Sequence, residues 1–158
     1  MLVAVSIAGV LGGIAAPSFF NQISKGQQAE AHALITQILG QTSAFNDEFG
    51  TPAEGWSDLD KIATILTSTG VATGNDFSAI TTPKENYTLR GSRSGSKYLF
   101  SATPSTQSGA IPFDNEDQPP LGQAGYNIVA CINVATGASD IQMGSGTSAA
   151  EQENLRCP

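Results

Sequence analysis

Few side chains in this chain have the type and spacing to do chemistry. The one histidine, His32, lies between Ala31 and Ala33 with no second His, Cys or paired carboxylate at ligand spacing, so a solvated helix face accounts for it more simply than a metal or catalytic role. Asp114, Glu116 and Asp117 could offer oxygens to Ca²⁺, but their spacing is not that of an EF-hand loop, and a solvated acidic loop suffices. Cys131 and Cys157 form neither a CxxC nor a Cys–His cluster. The chain has no G-x-S-x-G, H-E-x-x-H or Walker-type glycine loop. These residues predict no enzyme, no cofactor and no metal. The remaining concentration of charge is basic: Lys84, Arg90, Arg93 and Lys97 are four of the seven basic residues. That candidate patch could meet acidic loops of adjacent subunits or an anionic polymer such as DNA, although a charged hairpin tip explains it as well.

The elements that must position these groups begin with an uncharged run, residues 1–24, ended by Lys25. Such a run is long enough to cross the ~30 Å hydrocarbon core of a bilayer as a helix. Its centre is weak, because Gly9, Gly12 and Gly13 each cost roughly 1 kcal/mol relative to Ala and Pro17 clashes with the carbonyl of Gly13. A cleaved signal peptide would have a basic start and a shorter apolar core. The run is therefore read as retained, with Lys25 at the lipid headgroups or against a neighbour's carboxylate.

The segment from Ala4 through Gly9, Gly12, Gly13, Pro17, Phe19 and Phe20 to Asn21-Gln22 resembles the amino-terminal helix of a type IV pilin in composition and spacing. The resemblance implies that Met1 follows the glutamate of the pilin Phe-Thr-Leu-Ile-Glu start, so that this chain lacks the first five mature residues and the N-methylated terminus. It covers about residues 1–25 closely and the rest only architecturally.

Beyond the run, Ile23, Ala31, Leu34, Ile35, Ile38, Leu39, Phe45 and Phe49 recur at helical spacing, so the helix is expected to continue to Phe49. Gly50 can take the left-handed C′ position and Pro52 cannot continue the helix. A helix of about fifty residues is roughly 75 Å long, so only part of it can lie on a globular head. Leu34, Ile38, Phe45 and Phe49 are expected to bury against that head. Residues 51–85 read as a connection holding one short helix, capped by Ser57, with Leu59, Ile62, Ala63 and Leu66 on its apolar face; Trp56 before it reads as a packing anchor. Residues 86–90 and 97–102 alternate as two strands about a turn at Gly91–Ser96, followed by strands at Tyr126–Val134 and Ser139–Met143. Residues 103–125, with four prolines, read as a long irregular loop. The fold class is therefore α+β: a long N-terminal α-helix packed on a small antiparallel β-sheet head. The chain divides into an apolar helix (1–24), an amphipathic continuation (25–50) and a head (51–158).

Charged residues are only 13% of the chain and the net charge is −7, against about 25% charged in ordinary soluble domains. That balance argues against nucleic acid as a general partner. An exported chain with two cysteines favours a disulfide over a metal site, and joining Cys131 to Cys157 would tie the Gly/Ser-rich tail onto the outer face of the sheet. The pairing resembles the one enclosing the carboxyl-terminal loop of many pilins. The resemblance implies a structural subunit of a type IV pilus, held in the bacterial inner membrane before assembly, extracted by the pilus assembly machinery and then part of an extracellular homopolymer. Such filaments serve adhesion, twitching motility or DNA uptake. Gly9, Gly12, Gly13 and Pro17 are the expected site of helix loss in the filament. The alternatives are a pseudopilin of a type II secretion system, where calcium more often takes the disulfide's place, and a single-span membrane-anchored enzyme or receptor.

Overall fold

The chain folds as one long helix laid on an antiparallel sheet. The structure, a computed structural model, describes residues 2–105, 124–145 and 148–158, with side chains from Gln22 onward except Ala124. Helix α1 spans Leu2–Phe49. It stops where expected: Gly50 turns left-handed (φ 64°) and its N–H bonds Asn46 O at 2.9 Å, the signature of a C′ glycine.

Short elements follow: helix α2 (Trp56–Asp60) and a two-stranded hairpin of β1 (Leu66–Thr67) and β2 (Gly70–Val71). The main sheet runs β3 (Ile80–Thr81), β4 (Tyr87–Ser94), β5 (Lys97–Pro104), β6 (Ile128–Asn133) and β7 (Ala138–Met143), each antiparallel to the next. Alternation sends Tyr87 and Leu89, Tyr98, Phe100 and Ala102, and Ile128, Ala130 and Ile132 to one face. That inner face meets Ala31, Ile35, Ile38 and Phe45 of α1, and all of them are buried. Trp56, Phe77, Tyr98 and Phe100 close one end as an aromatic cluster with ring centroids 5.2–6.2 Å apart, several of them edge-to-face. Trp56 donates its indole N–H to Ser78 O at 2.8 Å, so it is an anchor with its polar atom satisfied.

Three local expectations are corrected. The first hairpin does not turn over Gly91–Ser96. β4 pairs through to Ser94↔Lys97, and Gly95 (φ 63°) sits at the first central position of a two-residue turn, where a type II′ turn needs it. Gly91 stays in the strand because a Cβ there would lie 2.8 Å from both Phe77 and Phe100. Ser57 is not a cap. Gly55 holds that place without a side-chain bond, since the N–H groups of Trp56 and Ser57 are taken by Asp76 O and Gly74 O. Finally, Leu66 leaves the short helix for β1 and is 58% exposed, and Ala63 is exposed too, so only Leu59 is fully buried from that apolar face.

Candidate functional site

The helix–head junction is built by positions at helical spacing: Ser24, Gln28, Ala31, Ile35, Ile38, Thr42 and Phe45 are all buried. Among the described residues of α1, four buried positions are polar (Ser24, Gln28, Gln41, Thr42) and escaped a reading based on apolar stripes. Three of them bond backbone oxygens: Gln28 donates to Gly144 O at 2.8 Å, Gln41 to Ala63 O at 3.2 Å and Thr42 to Ile38 O at 2.8 Å. They fill the gaps of the apolar stripe, between Ile23 and Ala31 and between Leu39 and Phe45, and that gap-filling spacing is the signal that could have found them. Of the expected packing residues, Ile38 and Phe45 are buried and Leu34 is partly buried. Phe49 is corrected. It is 46% exposed, because α1 ends there and its ring stacks on Phe45 at 4.5 Å instead of reaching the sheet. The Lys61 ammonium lies 5.7 and 5.9 Å from the two ring centroids. Lys61 also bonds Asp58 at 2.8 Å, and this bond, helped by the Glu54 N–H, holds the Asp58 carboxyl below its ordinary range.

The opposite face of the sheet is shared. Over β6 and β7 lies the tail, joined by the Cys131–Cys157 disulfide with Cα atoms 6.1 Å apart. Polar contacts extend the staple: Arg156 N–H to Asp140 at 2.9 Å, Gln142 to Asn154 O at 2.7 Å, and Asn133 and Thr136 to Pro158 O. Both cysteines are buried.

The basic patch does not assemble. Lys84 pairs with Glu30 of α1 at 3.0 Å. Arg93 reaches the other way, bonding Gly95 O at 3.1 Å and lying 3.8 Å from Glu54. Arg90 and Lys97 stand two cross-strand rows apart on the outer face. Four cations that are neighbours in sequence thus serve three surroundings, because alternation along β4 sends Arg90 and Arg93 to opposite faces.

Arg90 instead lines an open groove of about 620 Å³ with Ser68, Thr81, Glu85, Thr88, Thr103, Pro104 and Ser105. Glu85 sits where β3 turns into β4: its N–H bonds Thr82 O at 2.8 Å and its φ is 59°, the one left-handed non-glycine among the described residues. Neither Glu85 nor Arg90 has a side-chain hydrogen-bond or ion-pair partner among the described residues.

His32 is half-buried on α1, and among the described residues no group of three or more His, Cys, Asp or Glu could hold a metal. The acidic trio Asp114, Glu116 and Asp117 lies outside the described residues. The side chains of the apolar run, including Pro17 and the surroundings of Gly9, Gly12 and Gly13, also lie outside them; among the described residues no helix is long and apolar enough to cross a membrane. Compared with protein-family models, curated proteins and solved structures, the chain finds no match.

Proposed function

We propose that this chain is a structural subunit of a type IV pilus, polymerising with copies of itself through residues 1–24. The observation that carries the reading is that the docked stretch of α1, whose described buried positions run from Ser24 to Phe45 over about 32 Å, follows the uncharged residues 1–23 in the same helix. An uncharged stretch leading in sequence into a docked one is what a subunit needs if its head is to sit outside and its helix inside a bundle. Before assembly the same stretch would hold the subunit in the bacterial inner membrane, from which the assembly machinery extracts it into an extracellular filament. The stapled tail and antiparallel head are compatible with a pilin fold. The dispersal of the basic residues gives DNA no continuous track, so nucleic acid has no part in the reading, and neither does catalysis.

Electron microscopy of the source cells, with and without this gene and with antibody labelling of the head, tests it. Labelled thin surface filaments that vanish with the gene are expected. Cells whose filaments are unlabelled and unchanged by the deletion would overturn the proposal. Head stability that depends on calcium would favour the pseudopilin alternative.

A further inference from the structure

We infer that the groove on the outer face of β4 and β5 is a binding site for an acidic sugar, a hexuronic acid or a saccharide carrying one. The inference is independent of filament assembly. Its walls hold two opposite charges, Arg90 and Glu85, that do not pair with each other, together with Ser68, Thr81, Thr88, Thr103 and Ser105, the hydroxyls of Thr88 and Ser105 lying 3.4 Å apart. A guanidinium presents parallel donors that match a carboxylate. Hydroxyls both donate and accept, and a carboxylate only accepts, so Glu85 and the five hydroxyls match the ring hydroxyls of a sugar. A plain anion would meet Arg90 but be opposed by Glu85. A neutral sugar would leave Arg90 unused, and a small zwitterion would leave the hydroxyls unused.

Glu85 supplies a second line of argument. The left-handed position it occupies is filled cheaply by Gly or Asn, whereas a glutamate backbone is strained there. The neighbouring turn residue Lys84 is tied to Glu30, whereas among the described residues Glu85 makes no such side-chain bond. A strained residue whose side chain lines a cavity is the arrangement expected when the side chain is kept for what it binds.

The test is titration of the full chain, in a sugar-free zwitterionic detergent, with glucuronate, glucose, acetate and glycine, followed by amide NMR shifts on β3, β4 and β5. Saturable binding of glucuronate is expected, with the other three weaker by at least about tenfold. Arg90→Gln and Glu85→Gly should each weaken glucuronate by at least about tenfold, and Glu85→Gly should at the same time raise the temperature of unfolding. Because Glu85→Gly relieves the backbone, loss of binding in it cannot be a failure to fold. No binding of glucuronate, equal binding of acetate or glycine, or undiminished binding in either variant would overturn the assignment.

Discussion

Phe45 and Phe49 are one helical turn apart and stack on each other, yet only Phe45 is a core residue. Phe45→Ala should cost about 3–5 kcal/mol, because it empties a site enclosed by α1 and the head. Phe49→Ala should cost less than about 1 kcal/mol, since nearly half its surface already meets water. Thermal unfolding of the two variants separates them; equal losses would mean that the end of α1 is seated deeper than described. Glu85→Gly should gain about 1 kcal/mol by removing a left-handed glutamate, read in the same assay. Tyr87 carries the alkaline limit. Burial, with a smaller contribution from Tyr126, raises its hydroxyl from 10.0 to about 12, and Tyr98 is raised in the same direction by its own burial. The folded chain therefore keeps the Tyr87 proton at pH values where the unfolded chain has lost it. This contribution to stability is full below about pH 10 and disappears as pH rises through about 12. Tyr87→Phe should flatten that alkaline fall in a pH series of unfolding midpoints, at the cost of the hydroxyl's 3.0 Å bond to Tyr126 O.

Among the elements, those held by long-period patterns were readable in the sequence and those held by tertiary contacts were not. Of the stripe read from Ile23 to Phe49, the stretch from Ala31 to Phe45 packs on the head while both ends, Ile23 and Phe49, are exposed, and the stop at Gly50 stands as read, because spacing and glycine conformation act locally. The extent of β4 was not readable. Gly91 looks like a breaker, and only the rings of Phe77 and Phe100 filling the space of its missing side chain make it a strand residue. Gly55 likewise gives no capping signal because its partners, Gly74 and Asp76, are distant in sequence. The groove was invisible for a similar reason: Ser68, Glu85, Arg90 and Thr103 come together only once β3, β4 and β5 pair. The disulfide was readable as a pair but not for its reinforcement by Arg156, Gln142 and Asn133. Replacing both cysteines with Ala should lower stability by about 3 kcal/mol, the closure entropy of a loop of this size. Denaturant unfolding of the oxidised and double-Ala chains measures it.

For the whole molecule, the decisive property on the proposed reading is the weak centre of the apolar run. In a bilayer, backbone groups released from a helix find no water, so the helical form is favoured despite its three glycines. In a filament the same groups can be buried among neighbouring helices, and the propensity deficit of Gly9, Gly12 and Gly13, roughly 3 kcal/mol in sum, can then decide the conformation. Gly12→Ala with Gly13→Ala is expected to give filaments that extend less under load, measured by stretching single fibres. Unchanged extensibility would show that those glycines do not set the backbone there.

Lengthwise docking of α1 has a mechanical consequence. A pull on the apolar run enters the head along the helix axis, so contacts from Ser24 to Phe45 are loaded together in shear and none can be peeled away first. Among the described hydrogen bonds of α1 side chains to the head, that from Gln28 to Gly144 lies closest to residue 1 in sequence and anchors the helix beside the end of β7. Beyond it, the disulfide ties β6 to the tail and sets a covalent limit on how far that edge can be drawn out. On the proposed reading, in which the glycine-weakened centre of residues 1–24 yields first, the head behaves as a stiff block in series with it. Pulling on single subunits through residue 1 should give leader extension at low force and one abrupt head rupture at high force, with Gln28→Ala lowering only the second.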